Sequence, residues 1–394
     1  MQVCRMPQDP IVYTIFLVFS GAAVLATLAL VARQALLVAY IVLGGLFGPW
    51  GLGLVHDSQI VSEIADIGIM FLLFLLGLDL NPGDLMRSLR RTTLVTVGSS
   101  LVFAGVGAII ALAVGLSPME ALVLGGAMTF SSTIIGIKLL PTTVLHHQRV
   151  GEIIISILLL QDLFAIVMLL LIQSAAAGEE PWTEVALLVL TLPGLVVFAW
   201  AGARFVLIPL IRRWDTFREY IFLVAIGWCL GMAELAWLLG LSHEIGAFIA
   251  GVALATSPIA LFIADSLRPL RDFFLVLFFF SVGARFDLTM LGDVLLPAVL
   301  AAAVTMVLKP LVFGVLLART GESRQRSAEI GFRLGQMSEF SMLVGALALD
   351  LAVIGQRASY TIQLATIITF VLSSYLVVLR FPTPIAISDA LRRD

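Results

Sequence analysis

Apolar stretches of roughly 20 residues recur from one end of this sequence to the other, and no polar segment between them is long enough to enclose a core of its own. A chain built this way has few folds open to it. Inside a bilayer every backbone N–H and C=O must find its partner within the protein, which leaves helices or a closed barrel. Continuous apolar runs of this length are helices. Only 12% of the 394 residues are charged, against about 25% in a soluble domain, so the surface charge that water demands is missing. The sequence therefore reads as an all-α polytopic membrane protein.

Thirteen spans are expected, near 11–31, 35–50, 60–80, 92–114, 119–140, 150–173, 184–209, 218–239, 243–262, 269–287, 293–318, 325–349 and 358–379. The positive-inside rule orients them. With the C-terminus in the cytoplasm, sixteen of the Lys and Arg residues fall in inside connections or the tail. Outside there are Arg5, Arg285 and Arg357, together with the acidic stretch GEEPWTE (178–184). The expected orientation is N-terminus out, C-terminus in. The net charge of −3 offers nucleic acid no electrostatic foothold. Cys4 and Cys229 make neither a disulfide framework nor a metal spacing, and no cofactor is expected. His146 and His147 lie in an inside loop, where a solvated loop is the plain reading.

Two of the spans are poor continuous helices. The fifth reads ALVLGGAMTFSSTIIGIKLLP, broken around TFSST (129–133), and the twelfth reads AEIGFRLGQMSEFSMLVGALAL, broken at GQMSEFS (335–341). Ser and Thr also re-satisfy freed backbone groups in a merely kinked helix. The two breaks, however, lie seven spans apart and so run in opposite directions. That is the arrangement of an inverted-topology repeat, in which half-helix ends and free carbonyls become ion ligands.

Charges inside spans are the next constraint. Asp162, in LLLQDLFAIV, is close to the centre of the sixth span, where an ionised Asp costs about 2.5–3.5 kcal/mol on insertion scales. A structural hydrogen bond into a neighbouring helix is the plain reading, and an ion or proton path the functional one. Gln161 beside it is neutral, so the pair presents a single titratable group, and its amide can complete a cation's shell or brace a break. Lys309, mid-span before Pro310, needs a partner unless it snorkels, and Asp162 is the candidate. Glu339 lies at the second break, where it can cap a half-helix or meet the ion. Arg333 reads as structural, paired with Glu329 or Glu339. Gly44 with Gly48, and Gly227 with Gly231, have G-x-x-x-G spacing, a sign of close helix packing.

An unpaired carboxylate at mid-depth is tolerable when protonated, bound to a cation, or paired with Lys309. A proton and a monovalent cation then compete for one group. If the site changes sides only when neutralised, the two fluxes run in opposite directions, which is antiport.

SSTIIGIKLL followed by QDLFAI, HEIGAFIAGVALATSP, LRPLRDFFLVLFFFSVG and RLGQMSEFS together resemble the monovalent cation:proton antiporter-2 family, and within it the Kef-type branch, over roughly residues 11–380. The resemblance implies an NhaA-like fold of inverted repeats, with two crossed interrupted helices near 119–140 and 325–349. It implies a mobile core of helices near 92–173 and 293–379, and scaffold or dimerisation helices near 11–50 and 184–262. By position, Asp162 would bind the ion and the proton, and Gln161 fills a place often held by Asn or Asp in sodium-selective relatives. Ser132 and Thr133 fall at the first crossover, so Asp162, Gln161 and Thr133 form the implied monovalent-cation ligand set. Lys309 matches a lysine that some relatives pair with the site, and Glu339 completes the charge-compensating groups. The Gln–Asp form goes with potassium-handling members. The implied protein is a transporter and not an enzyme: a potassium:proton antiporter, with sodium possible, forming a homodimer in a prokaryotic inner membrane. Kef-type systems commonly continue into a nucleotide-binding Rossmann-like domain. Here the sequence runs on from the last span as RFPTPIAISDALRRD with no G-x-G-x-x-G, so no regulatory domain is expected in it. Two other classes of function compete: a gated potassium channel, which needs no titrating carboxylate, and a sodium-coupled solute symporter, which needs a roomier polar pocket.

Overall fold

A computed structural model describes residues 10–32, 34, 36–55, 58–79, 82–138, 149–176, 181–214, 217–241 and 243–381. His146, His147, Cys4 and the stretch 382–394 lie outside the described residues. Every described element of regular structure is helical. In chain order these are α1 (Pro10–Val31), α2 (Leu36–Phe47), α3 (Ser58–Asp79), α4 (Pro82–Ala113), α5 (Pro118–Ala127), α6 (Thr133–Lys138), α7 (Arg149–Ala176) and α8 (Pro181–Ala201). A π-helical turn (Gly202–Leu207) then leads into α9 (Ile208–Arg213), followed by α10 (Arg218–Leu238), α11 (His243–Leu254) and α12 (Ile259–Arg285). The last four are α13 (Leu291–Arg319), α14 (Arg324–Arg333), α15 (Glu339–Asp350) and α16 (Gln356–Arg380). Among the described residues, seven stretches are long and apolar enough by length and composition to cross a membrane: Ile11–Val31, Thr92–Ala113, Arg149–Gln173, Thr191–Arg213, Arg218–Leu238, Leu288–Arg319 and Gln356–Arg380.

The helix ends depart from expectation where local charge obscures the period. The tenth span was expected to begin near 269, after the charged RPLR stretch, but α12 starts ten residues earlier, at Ile259, and runs through Pro269. The reason is visible in its buried face: Ala260, Ile263, Ala264 and Leu267 repeat at i, i+3, i+4 and i+7. The charges that follow pair locally, Arg268 with Asp265 at 3.0 Å and Arg271 with Asp272 at 2.9 Å. Likewise α4 begins at Pro82, a residue suited to the first helical position because its missing N–H would be unpaired there anyway.

The chain divides into two compact units. The first comprises residues 1–32, 36–82 and 186–288. It packs around Val18, Leu43, Val61, Leu277 and Phe280. Here α2 and α12 approach backbone to backbone: a Cβ on Gly44 would lie 2.0 Å from the Phe280 carbonyl oxygen, and one on Gly283 2.0 Å from that of Ile41. The other G-x-x-x-G pair differs, for a Cβ on Gly227 or Gly231 meets nothing within 4 Å. Gly283→Leu is therefore expected to force two backbones apart and cost about 3 kcal/mol or more. In a detergent melt it should unfold several degrees early, whereas Gly227→Ala should melt with the wild type.

The second unit comprises residues 33–35, 83–185 and 289–394. Its apolar core joins α4, α7, α13 and α14 through Phe103, Ile154, Ile157, Leu158, Phe313, Leu317 and Ile330. All the candidate site residues belong to this unit.

Candidate functional site

Both expected interruptions are present as breaks of five residues. Met128–Ser132 separates α5 from α6, and Leu334–Ser338 separates α14 from α15. The amino acids explain where each half-helix begins. Ser132 caps α6, its hydroxyl accepting from the Ile135 N–H at 3.1 Å. Ser338 caps α15, accepting from the Phe340 N–H at 3.1 Å, while the Ser341 hydroxyl accepts from the Ser338 N–H at 3.2 Å. Half-helices buried in this way leave backbone groups that the last turn and nearby side chains must satisfy.

The two breaks supply those partners to each other. The Ser131 hydroxyl donates to the Leu334 carbonyl at 2.9 Å, and the Ser341 hydroxyl donates to the Ala127 carbonyl at 2.6 Å. The Gln336 amide donates to the Ser132 carbonyl at a long 3.5 Å and accepts from Ser373 of α16 at 2.9 Å. The Met337 N–H donates to the Thr369 hydroxyl at 3.1 Å.

Lys309 of α13 is fully buried at the meeting point of the breaks. Its three N–H donors have three acceptors: the Phe130 carbonyl at 2.6 Å, the Gln336 carbonyl at 2.8 Å and the Ser131 hydroxyl at 3.1 Å. The ammonium also lies 5.6 Å from the centroid of the Phe103 ring. Among the described residues no salt bridge joins it to a carboxylate, so the expected Asp162–Lys309 pair is replaced by a different arrangement. The acceptors are carbonyls of the breaks themselves, three residues past the ends of α5 and α14, and the lysine satisfies them.

Asp162 of α7 is 1% exposed and meets the first break through the Thr133 hydroxyl, 3.4 Å from Oδ2. No cationic side chain pairs with it among the described residues. Gln161 is fully buried and braces the same break, its Oε1 accepting from the Ser131 N–H at 3.0 Å. That donor fixes which way the amide points, and Nε2 is left with no hydrogen-bond partner among the described residues. Glu339 opens α15 in its first turn, 6% exposed, where the positive end of the helix favours a carboxylate. Arg333 pairs with Glu329, Nη2 at 2.9 Å and Nε at 3.0 Å from one carboxylate oxygen, and so compensates itself.

The arrangement thus gathers two buried carboxylates and one ammonium around a pair of helix breaks. Its chain-wide likeness is equally definite. A family model described as sodium/hydrogen exchanger, transmembrane, matches residues 16–379. The chain belongs to the sodium/hydrogen exchanger family. As a member it is an integral membrane protein and a transporter, and the activity of the class is exchange of cations for protons. Its fold is similar to that of the sodium proton antiporter MjNhaP1 from Methanocaldococcus jannaschii, solved at pH 8, with a TM-score of 0.67 and 17% sequence identity. The likeness covers 94% of this chain and 99% of that one.

Within this exchanger, Asp162, Gln161, Ser132, Thr133 and Lys309 meet at the first break, and Glu339 opens the helix that follows the second. Ser132 is used differently from the implied role, because its hydroxyl caps α6. The sequence reading missed Ser131, Gln336 and Ser341 as individual contacts, although each lies in a polar cluster it named. It also missed the face of α16 formed by Ser359, Gln363, Thr366, Thr369 and Ser373, all 5% exposed or less. The spacing of four, three, three and four residues was a readable signal of one polar helix face.

Proposed function

We propose that this exchanger is an antiporter in which a monovalent cation and a proton compete for Asp162, with potassium as the favoured cation and sodium as a possible one. The observation that carries the reading is the place of Asp162: it is 1% exposed, it meets the Thr133 hydroxyl at the first break, and among the described residues no cationic side chain pairs with it. A proton or a monovalent cation neutralises that carboxylate equally well. Uncompensated buried charge is costly, so the empty, deprotonated state is the unfavourable one. If only neutral states change sides, each inward cation returns an outward proton.

In this proposal Thr133 and Asp162 meet the ion, Gln161 and Lys309 hold the first break in shape, and Glu339 acts through its charge. The second unit is the moving core, related internally by an inverted repeat with its broken helices crossed, and the first is the scaffold of a homodimer. A prokaryotic inner membrane is the setting that the Kef-type resemblance suggests, and the arginine distribution supports an N-terminus outside. The Kef-type assignment and the preference for potassium rest on the Gln161–Asp162 pair.

The test is purified full chain in proteoliposomes that hold a pH-sensitive dye. External pulses of potassium, sodium or lithium are expected to alkalinise the interior, with the largest response to potassium. Cation uptake without any proton movement would replace exchange with a channel. A response only to sodium and lithium would remove the potassium preference while keeping antiport.

A further inference from the structure

The hydrogen bonds that tie the first break to other segments fall into two groups. Around Phe130 and Ser131 they are short: Phe130 carbonyl to Lys309 at 2.6 Å, Ser131 hydroxyl to Leu334 at 2.9 Å, Ser131 N–H to Gln161 at 3.0 Å and Lys309 to the Ser131 hydroxyl at 3.1 Å. Around Ser132 and Thr133 they are long: the Ser132 carbonyl, which accepts from the Gly136 N–H of its own helix at 3.0 Å, meets the Gln336 amide only at 3.5 Å, and the Thr133 hydroxyl lies 3.4 Å from Asp162. Ordinary N–H···O bonds lie near 2.9–3.0 Å and O–H···O bonds near 2.7–2.8 Å, so the second pair is slack where the first is taut. The two slack contacts are in series. Gln336 holds Ser132, and the next residue, Thr133, holds the carboxylate. Functional hydrogen bonds of this kind commonly tighten only when the ligand is present.

From this we infer that Gln336 is a positioning residue for cation binding: it governs how far the Ser132–Thr133 end of the break closes on Asp162, and so sets cation affinity without being a ligand. Three features suit it to that role. It is fully buried. Its amide oxygen is anchored to α16 by Ser373 at 2.9 Å, so the NH2 that faces the break is held from a third helix. Its own carbonyl accepts from Lys309 at 2.8 Å, which ties the second break to the taut side of the first. Removing the side-chain amide leaves that backbone contact in place. The loss is then confined to the slack side, which is what separates positioning from simple support.

The inference rests on Asp162 as the ion-binding group, and the experiment keeps the two apart. Full chain in proteoliposomes is titrated with potassium and sodium, and cation-dependent thermal stabilisation is followed in detergent. Loss of cation-dependent exchange and stabilisation in Asp162→Asn tests the underlying reading. Gln336→Met, of similar shape but without the amide, tests the inference. It is expected to raise the half-maximal cation concentration about tenfold, with the maximal rate within about twofold of wild type, the size of effect that one or two buried hydrogen bonds produce. Ser373→Ala, which loosens only the anchor, should raise it about threefold. The double variant should be no worse than Gln336→Met alone, since both act through one amide. An unchanged half-maximal concentration overturns the inference, as does a parallel fall of rate, affinity and melting temperature. If Gln336→Met does not fold, Ser373→Ala decides: wild-type affinity there sinks the proposal.

Discussion

Replacing Asp162 with Asn is expected to abolish cation-dependent proton movement while leaving the protein folded. The two side chains have nearly the same shape, and the amide keeps an oxygen to accept from the Thr133 hydroxyl, the contact Asp162 makes at 3.4 Å. What is lost is the charge. A carboxylate and a cation in contact attract by several kcal/mol even at an effective dielectric of about 20. Each 1.4 kcal/mol is about tenfold in affinity, so cation binding should weaken by about a hundredfold or more. The proton site goes at the same stroke. Because no cationic side chain pairs with Asp162 among the described residues, neutralising it removes an uncompensated buried charge and leaves none behind. The melting temperature without added cation should therefore equal or exceed that of wild type. This separates the proposal from a structural role, in which Asn would lower stability and activity together. Undiminished exchange in Asp162→Asn proteoliposomes would take the carboxylate out of the mechanism.

Lys309→Met should do the opposite: stability falls first, and activity follows from it. The ammonium satisfies the Phe130 and Gln336 carbonyls and the Ser131 hydroxyl. Methionine fills much of the space but donates nothing. Two buried carbonyls are then orphaned at about 1–3 kcal/mol each. A drop in melting temperature of roughly 5 °C or more is expected. Lys309→Arg should not restore it, because a planar guanidinium cannot reproduce three donors converging from a point. The same experiment tests the arrangement against the ion pair that the sequence suggested. Were Lys309 the partner of Asp162, Lys309→Met would displace the pH dependence of exchange while the protein stayed folded. An unchanged melting temperature with a displaced pH profile would restore that pairing.

Much of the architecture could be read before any coordinates. The two breaks were legible because Gly, Ser and Thr clusters interrupt otherwise apolar runs, and each falls within a few residues of its expected place. Asp162 was legible because a carboxylate in the middle of an apolar span is expensive enough to demand a reason. The start of α12 was misplaced because proline and charge near Arg268 outweighed a helical period that was present. The acceptors of Lys309 are illegible for a different reason. The sequence offers formal countercharges, whereas the Phe130 and Gln336 carbonyls that hold the ammonium are backbone groups, invisible in side-chain patterns.

The apolar segments, the two places where they break and the acid within the sixth of them are written in the amino acids. These are local properties, settled within one helix length by hydropathy, backbone propensity and the cost of charge in hydrocarbon. Only the tertiary structure decided which group holds which. Lys309 reaches Phe130 across 179 positions and Ser131 reaches Leu334 across 203. Over such distances no period or spacing carries information, and the choice among acceptors is made by packing, which brings the carbonyls of two broken helices nearer to the lysine than any carboxylate.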